Sequence, residues 1–443
     1  MMLATTVAAS GAASATWADR GSSALGLLVM LLLAWLLSEQ RRLVRWRPVV
    51  WGVALQLGLG LLILNPTLQR VFFDVVDQGV RRLLSFSEAG AGFVFQSVEA
   101  HQILDTQGQP VTFVGRISPP VKTFAFWILP TIVFFSSLMS ILYHLGIMQR
   151  VVWAIAWVMQ RTLGTSGSES LSAAANIFVG QTEAPLVVRP YVARMTRSEV
   201  SAVMTGGFAT VAGGVMAAYV GFLKDIPGIA GHLVTASILS APASLAISKL
   251  MVPETAQSET AAGVELVRQP TASNVLEAAA NGATDGAKLA INVAAMLIAF
   301  VGLVALADFT LGFVPFAGAP LSLSRVLGWL FSPLAFAMGI PWSEAAIVGG
   351  LLGEKIVLTE FIAYIHLGEL MASATPVLSE RSAIITSYAL CGFANFASIG
   401  IQLGGLGGIA PERMREFAGL GLRTMIGGSL AAFMTACVAG ALL

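Results

Sequence analysis

The sequence is poor in charge. Only 11% of its 443 residues are Asp, Glu, Lys or Arg, against about 25% in an ordinary soluble domain. The 25 basic side chains almost cancel the 24 acidic ones, leaving a net charge of +1. No basic field exists to draw in a polyanion, which excludes nucleic acid as a partner. Cysteine is equally scarce. Cys391 and Cys437 lie in apolar stretches with neither a CxxC spacing nor a histidine beside them, so both read as small packing residues rather than disulfide partners or zinc ligands. HExxH and a serine–histidine pairing are missing, which argues against an intramembrane enzyme. The Gly404–Gly408 run follows no strand and opens no P-loop pattern, so it reads as close packing. After about the first twenty residues no long polar or Pro/Ser-rich linker divides the chain, which points to a single integral domain.

What is abundant is apolar: 56% of the residues are hydrophobic and the mean hydropathy is +0.80. Stretches of about 20 apolar residues, enough to cross roughly 30 Å of hydrocarbon as helix, recur near 24–38, 48–65, 121–144, 199–222, 228–250, 287–307, 382–403 and 419–442. Residues 68–95 and 147–163 alternate apolar and charged residues in the manner of helices lying along a membrane surface. The regions 166–196 and 341–372 are helical but too interrupted by Gly, Pro and charge to be simple spans. The pattern therefore predicts an all-α integral membrane protein with about eight transmembrane helices and two re-entrant helical hairpins. Arg41, Arg42, Arg45 and Arg47 place the first loop in the cytoplasm, and the later basic loops agree, so both termini are expected outside a cell inner membrane. A cleaved signal peptide over residues 1–23 is a weaker reading than a first membrane helix.

The chemistry concentrates in a weak internal repeat. Thr182-Glu183 in the first interrupted region is followed by Gly207-Phe208-Ala209-Thr210 in the next span. Thr359-Glu360 in the second is followed by Gly392-Phe393-Ala394-Asn395. Paired broken helices in corresponding halves point to a transporter's midplane site, because in lipid a helix break survives only where its freed backbone groups line a polar cavity. Charges at membrane depth are costly and mark function. Either glutamate could instead belong to a buried ion pair, with Arg189 or Lys355 as partner.

Gly180-Gln181-Thr182-Glu183-Ala184-Pro185-Leu186, Met204-Thr205-Gly206-Gly207-Phe208-Ala209-Thr210 and Cys391-Gly392-Phe393-Ala394-Asn395-Phe396 resemble the concentrative nucleoside transporter family, with similarity from roughly residue 120 to the C-terminus. The resemblance implies a homotrimer in an inverted-repeat, elevator-type transporter that couples nucleoside uptake, uridine included, to sodium or alternatively to protons. It places the nucleobase on Gln181, Thr182 and Glu183, and the ribose on Glu360, Asn395 and Ser398, with Val215 and Phe393 packing nearby. It assigns the sodium ligands to Asn176, Val179, Thr182, Thr210 and Val211. Thr359 is a departure, since many relatives carry Asn there. The implied organisation is a polar segment 1–23, a scaffold and surface helix in 24–146, a first repeat in 147–250, a connection and scaffold span in 251–320 and a second repeat in 321–443. Asn395 and Ser398 are three apart and so expected on one helix face. Gln402 falls on the same face and reads as a packing residue, as do His144 and His366.

Overall fold

The structure, a computed structural model, describes residues 17–95, 98–104, 107–116, 124–261, 263, 272–313, 315–316, 319–373 and 376–443. Most of the N-terminal polar segment, and the start of the span read at 121, lie outside them.

The chain is helical. α1 (Trp17–Leu36) and α2 (Trp46–Ile63) are followed by the 30-residue amphipathic α3 (Pro66–Phe95). A short antiparallel hairpin, β1 (Val98–Leu104) and β2 (Pro110–Arg116), comes next, paired from Val98 with Arg116 to Leu104 with Pro110. A π-helical turn (Phe124–Ile128) leads into α4 (Leu129–His144). The second surface helix is α5 (Ile147–Leu163), bounded by Gly146 and Gly164 at φ 74° and 72°. That left-handed conformation costs glycine little, and at Gly164 it closes the helix as a C-cap.

The first interrupted region resolves into α6 (Gly167–Ala175), an irregular tip over residues 176–183, and two single turns, α7 (Ala184–Val187) and α8 (Arg189–Val192). Ser166 and Glu169 cap α6 reciprocally, satisfying amides that would otherwise be orphaned at the helix start. The next span is broken: α9 (Arg197–Ala209) stops at Thr210 and α10 (Gly213–Phe222) resumes after Ala212. α11 (Ile229–Met251) and α12 (Val275–Leu311) follow. At 37 residues α12 is about 55 Å long. The polar stretch 253–285, read as a connection, is thus helical from Val275 onward, where the Asn274 side chain caps the helix.

A two-residue strand pair, β3 (Pro315–Phe316) and β4 (Ala319–Pro320), precedes α13 (Leu323–Ala337), α14 (Trp342–Val357), α15 (Glu360–Met371), α16 (Glu380–Leu390), α17 (Phe396–Ile409) and α18 (Met414–Leu442). Among the described residues seven helices, counting α9–α10 as one, are long and apolar enough to cross a membrane. α13 and α14 meet at 117°, too sharp for one span, and α14 folds back against α15 to form the second hairpin. The remaining expected span, near 382–403, is α16 plus α17, interrupted at Cys391–Asn395.

Burial sorts the spans into two classes. α9–α10, α11 and α18 are enclosed, with 83%, 89% and 83% of their apolar windows buried. α4 and α12 are only 17% and 6% buried. They pack on one another through Gly282 and Gly286 of α12, which sit against Val133, Ser136, Ser137 and Ser140, the small-residue contact usual between membrane helices.

Candidate functional site

The two breaks, whose Gly-Phe-Ala motifs start at Gly207 and Gly392, are neighbours in space. Gly392 lies where α16 ends, and a Cβ there would come within 2.6 Å of the Phe208 carbonyl oxygen and 3.0 Å of the Ala209 carbonyl carbon. Its φ of 151° also suits glycine alone. The Phe393 N–H then donates to the Thr210 carbonyl at 3.3 Å, and Phe208, Ala394 and Met425 close a small apolar cluster behind the crossing. The broken spans of the two halves therefore cross at their equivalent Gly-Phe-Ala motifs.

The tip of the first hairpin docks onto the first break. Gly213 N–H donates to the Phe178 carbonyl at 3.0 Å, and Ser237 of α11 donates to the Ile177 carbonyl at 2.8 Å. Asn176 is fully buried beside Gly206. Its Nδ2 donates to the Ser172 carbonyl at 3.1 Å, while its Oδ1 is buried with no hydrogen-bond partner. Thr210 donates its hydroxyl to the Gly206 carbonyl at 2.9 Å, so the oxygen's lone pairs remain available. Val179 and Val211 are buried. An orphaned amide oxygen of this kind suits a hard cation better than a transition metal. Among the described residues no cluster of three His, Cys, Asp or Glu could hold a metal ion.

The two glutamates of the repeat differ. Glu183 is exposed at its tip, and one carboxylate oxygen accepts from the Gly180 N–H at 3.0 Å. Glu360 begins α15 and is buried. Tyr219 Oη donates to its Oε1 and Asn395 Nδ2 to its Oε2, each at 2.9 Å. Neither glutamate forms an ion pair with the cation considered for it. Lys355 is fully buried, but its ammonium goes to the Ala389 carbonyl at 2.7 Å and sits 5.5 Å from the Phe433 ring centre.

Asn395 and Ser398 prove to be linked by capping rather than by a shared face. Asn395 precedes the helix, and its Oδ1 accepts from the Ser398 N–H at 2.8 Å. Its side chain thereby fixes the start of α17 and presents Nδ2 to Glu360 in one stroke. Thr359 caps α15 through the Ile362 N–H, so the departure from Asn at this position preserves a side-chain cap. Val215 stands in the first turn of α10 and Phe393 beside the second break, both against the core. Thr182 is exposed and faces α17, where a Cβ at Gly405 would meet its Cγ2 at 3.7 Å.

Tyr219 carries no sequence signal, and by sequence Gln402 reads only as a packing residue. Tyr219 stacks on Tyr364 with ring centres 4.2 Å apart while it donates to Glu360. Gln402 reaches Gln181 across the interface between the halves. A cavity of about 590 Å³ lies elsewhere, between α13, α14 and α15, where His366 Nδ1 and Glu354 approach to 2.8 Å.

Known protein families match the chain in three successive stretches. Residues 25–98 match the description "Na+ dependent nucleoside transporter N-terminus", 125–225 "Nucleoside recognition" and 232–440 "Na+ dependent nucleoside transporter C-terminus". An uncharacterized transporter of Haemophilus influenzae is 43% identical over 424 residues, covering 95% of this chain and 97% of that protein. The chain belongs to the concentrative nucleoside transporter family.

Among other relatives, mouse (Mus musculus) solute carrier family 28 member 3 and mouse sodium/nucleoside cotransporter 1 are each 42% identical, over 432 and 434 residues and 94% of this chain. The chain spans 58% and 63% of their lengths, about three fifths. Of solved structures, CNTnw in an inward-facing substrate-bound state superposes with a TM-score of 0.84 at 40% identity, covering 96% of this chain and 98% of that one. A variant of it in an outward-facing state gives 0.83 at 40% identity, over 96% and 97%. As a member of this family with several apolar spans, the chain is a multi-pass membrane protein.

Proposed function

We propose that this chain is a sodium-coupled nucleoside symporter that takes up nucleosides such as uridine by elevator-type alternating access. The observation that carries the reading is the placement of α17 between the two hairpin tips. At its N-terminus Asn395 donates to Glu360 of the second tip, and two turns on Gln402 donates to Gln181 of the first. From residue 395 to residue 402 is about 10 Å of helix axis, a spacing that suits one nucleoside. Ribose hydroxyls would be held by Glu360, Asn395 and Ser398, and the base by Gln181, Thr182 and Glu183, with Val215 and Phe393 packing against the ligand. The relatives' printed names, sodium/nucleoside cotransporter and substrate-bound CNTnw, agree with this reading.

Sodium would bind Asn176, Thr182 and Thr210 through side-chain oxygens and Val179 and Val211 through carbonyls. Support comes from the unpartnered, buried Asn176 Oδ1. Only with both ligands present are the polar groups of the site neutralised enough to cross the membrane interior, which couples the two fluxes. The hairpins would be re-entrant, one from each side, with both termini outside. The exposed apolar faces of α4 and α12 would meet in a homotrimer.

The test is uptake of labelled uridine and adenosine into proteoliposomes after a sodium jump. Accumulation above the external concentration is expected, with Thr210→Ala weakening the sodium dependence. Uptake driven by a pH gradient in sodium-free buffer would replace sodium by a proton.

A further inference from the structure

Gln402 does more than pack. It lies on α17, is 2% exposed, and places its Nε2 at 3.0 Å from the Met204 carbonyl of α9 and 3.1 Å from Gln181 Oε1 on the first tip. A backbone carbonyl can only accept, so the end of the Gln402 amide facing Met204 must be the NH₂. That same NH₂ meets Gln181, and only the carbonyl end of Gln181 can receive it. The orientation of Gln181, ordinarily ambiguous for an amide, is thereby set by a carbonyl two helices away. Gly207 makes the contact possible, because a Cβ there would fall 2.6 Å from Gln402 Nε2 and 2.9 Å from Gln181 Cβ.

With its oxygen turned to Gln402, Gln181 keeps its whole NH₂ unclaimed, and among the described residues no protein group accepts from it. We infer that Gln402 is a positioning residue for base selection: it fixes Gln181 as a hydrogen-bond donor, so the site favours a base with a keto oxygen at that edge over one with an exocyclic amino group. An amino group there would set two donors face to face and leave both unpaired, which costs far more than a lost contact in water. The inference rests on the proposed assignment of Gln181 to the base.

The experiment measures kcat/KM for uridine against cytidine, and for inosine against adenosine, in proteoliposomes holding the wild type, Gln181→Met, Gln402→Met or Gln402→Leu. The wild type should favour the keto member of each pair by about tenfold. Both Gln402 variants free the Gln181 amide to rotate, so their ratios should fall toward one, as in Gln181→Met, with sodium dependence unchanged. Two hydrophobic replacements guard against one failing to fold. A wild-type ratio in either Gln402 variant, or a wild type indifferent to the keto–amino exchange, overturns the inference. If Gln181→Met alone shifts the ratio, the base assignment survives and the role of Gln402 falls. A wild type that takes up no nucleoside ends both.

Discussion

In the first half of the molecule the hairpin is held at its base, where buried Lys249 bridges Glu169 at 2.6 Å and Glu254 at 3.3 Å. In the second half it is held at its tip, where Glu360 accepts from Tyr219 and Asn395. The opposite ends are looser: Glu183 is exposed and bonded within its own tip, and the second base rests on the exposed Ser379 donating to the half-buried Glu344. One tip is thus preorganised and the other open. A ligand that met both would find the Glu360 side already built and would have to complete the Glu183 side itself, the arrangement in which binding energy is available to drive closure.

The comparison breaks most visibly when the two glutamates are removed. Glu360→Ala strips a buried acceptor from Tyr219 and Asn395, so it should abolish nucleoside uptake and also lower the melting temperature of the detergent-solubilised protein. Leaving two buried donors unsatisfied costs about 1–3 kcal/mol each. Glu183→Ala removes an exposed carboxylate and should cut uptake about 100-fold with no change in melting temperature. Equal thermal effects of the two substitutions would erase the distinction between a built tip and an open one.

The next largest effect belongs to the base of the first hairpin. Lys249→Met leaves Glu169 buried without its cation, a loss of about 3–5 kcal/mol when one partner of a buried pair is removed. Adding Glu169→Gln in the same chain should restore much of the melting temperature, since a neutral pair carries no such penalty. The expected result is a large single-variant drop and a smaller double-variant drop. Additive drops would mean that Lys249 acts through Ser198, to which it donates at 2.9 Å, or through Glu254 rather than Glu169.

Tyr219→Phe sharpens the picture of the second tip. It deletes one donor to the Glu360 carboxylate but keeps the ring stacked on Tyr364, so the expected loss is the value of one hydrogen bond to a charged group, about 1.5–3 kcal/mol. It should appear as a lowered melting temperature, a smaller drop than that of Glu360→Ala, together with a raised KM for nucleoside.

These contrasts also show where reading the sequence succeeds. The surface helix at residues 147–163 was legible to the residue because its amphipathic stripe is bracketed by two glycines. The tips were legible because Gly, Pro and a charge within apolar sequence interrupt a helix. The start of α12 was not, because Val275–Asp285 is rich in helix formers but too polar to register as span. The contacts of Tyr219 and Gln402 were invisible for a different reason: their partners lie 141 and 221 residues away, and no local pattern encodes a crossing of two breaks. Gln402 carried a face but no partner, and the partner is what gives it chemistry.

The smallest expected effect lies at the outer layer of the first base. Glu39, in the loop between α1 and α2, accepts from Arg197 Nη2 at 2.8 Å and Nε at 3.2 Å, and Arg423 Nε stands 3.3 Å away. The hydrogen bond from Arg197 holds the Glu39 carboxyl below its ordinary range, with both guanidinium charges adding to it against a smaller effect of partial burial. A carboxyl with a depressed folded-state pKa adds stability above its unfolded value, about 4.3, and loses it as pH falls through the folded value. Glu39→Gln should therefore lower the melting temperature slightly at pH 7, by an amount worth no more than about 1 kcal/mol for a partly exposed pair. The gap between variant and wild type should close as pH drops below about 4 and shrink in high salt. A gap that persisted at low pH would place the stabilisation in the shape of the loop, where Glu39 N–H also donates to the Met251 carbonyl at 2.9 Å, rather than in its charge.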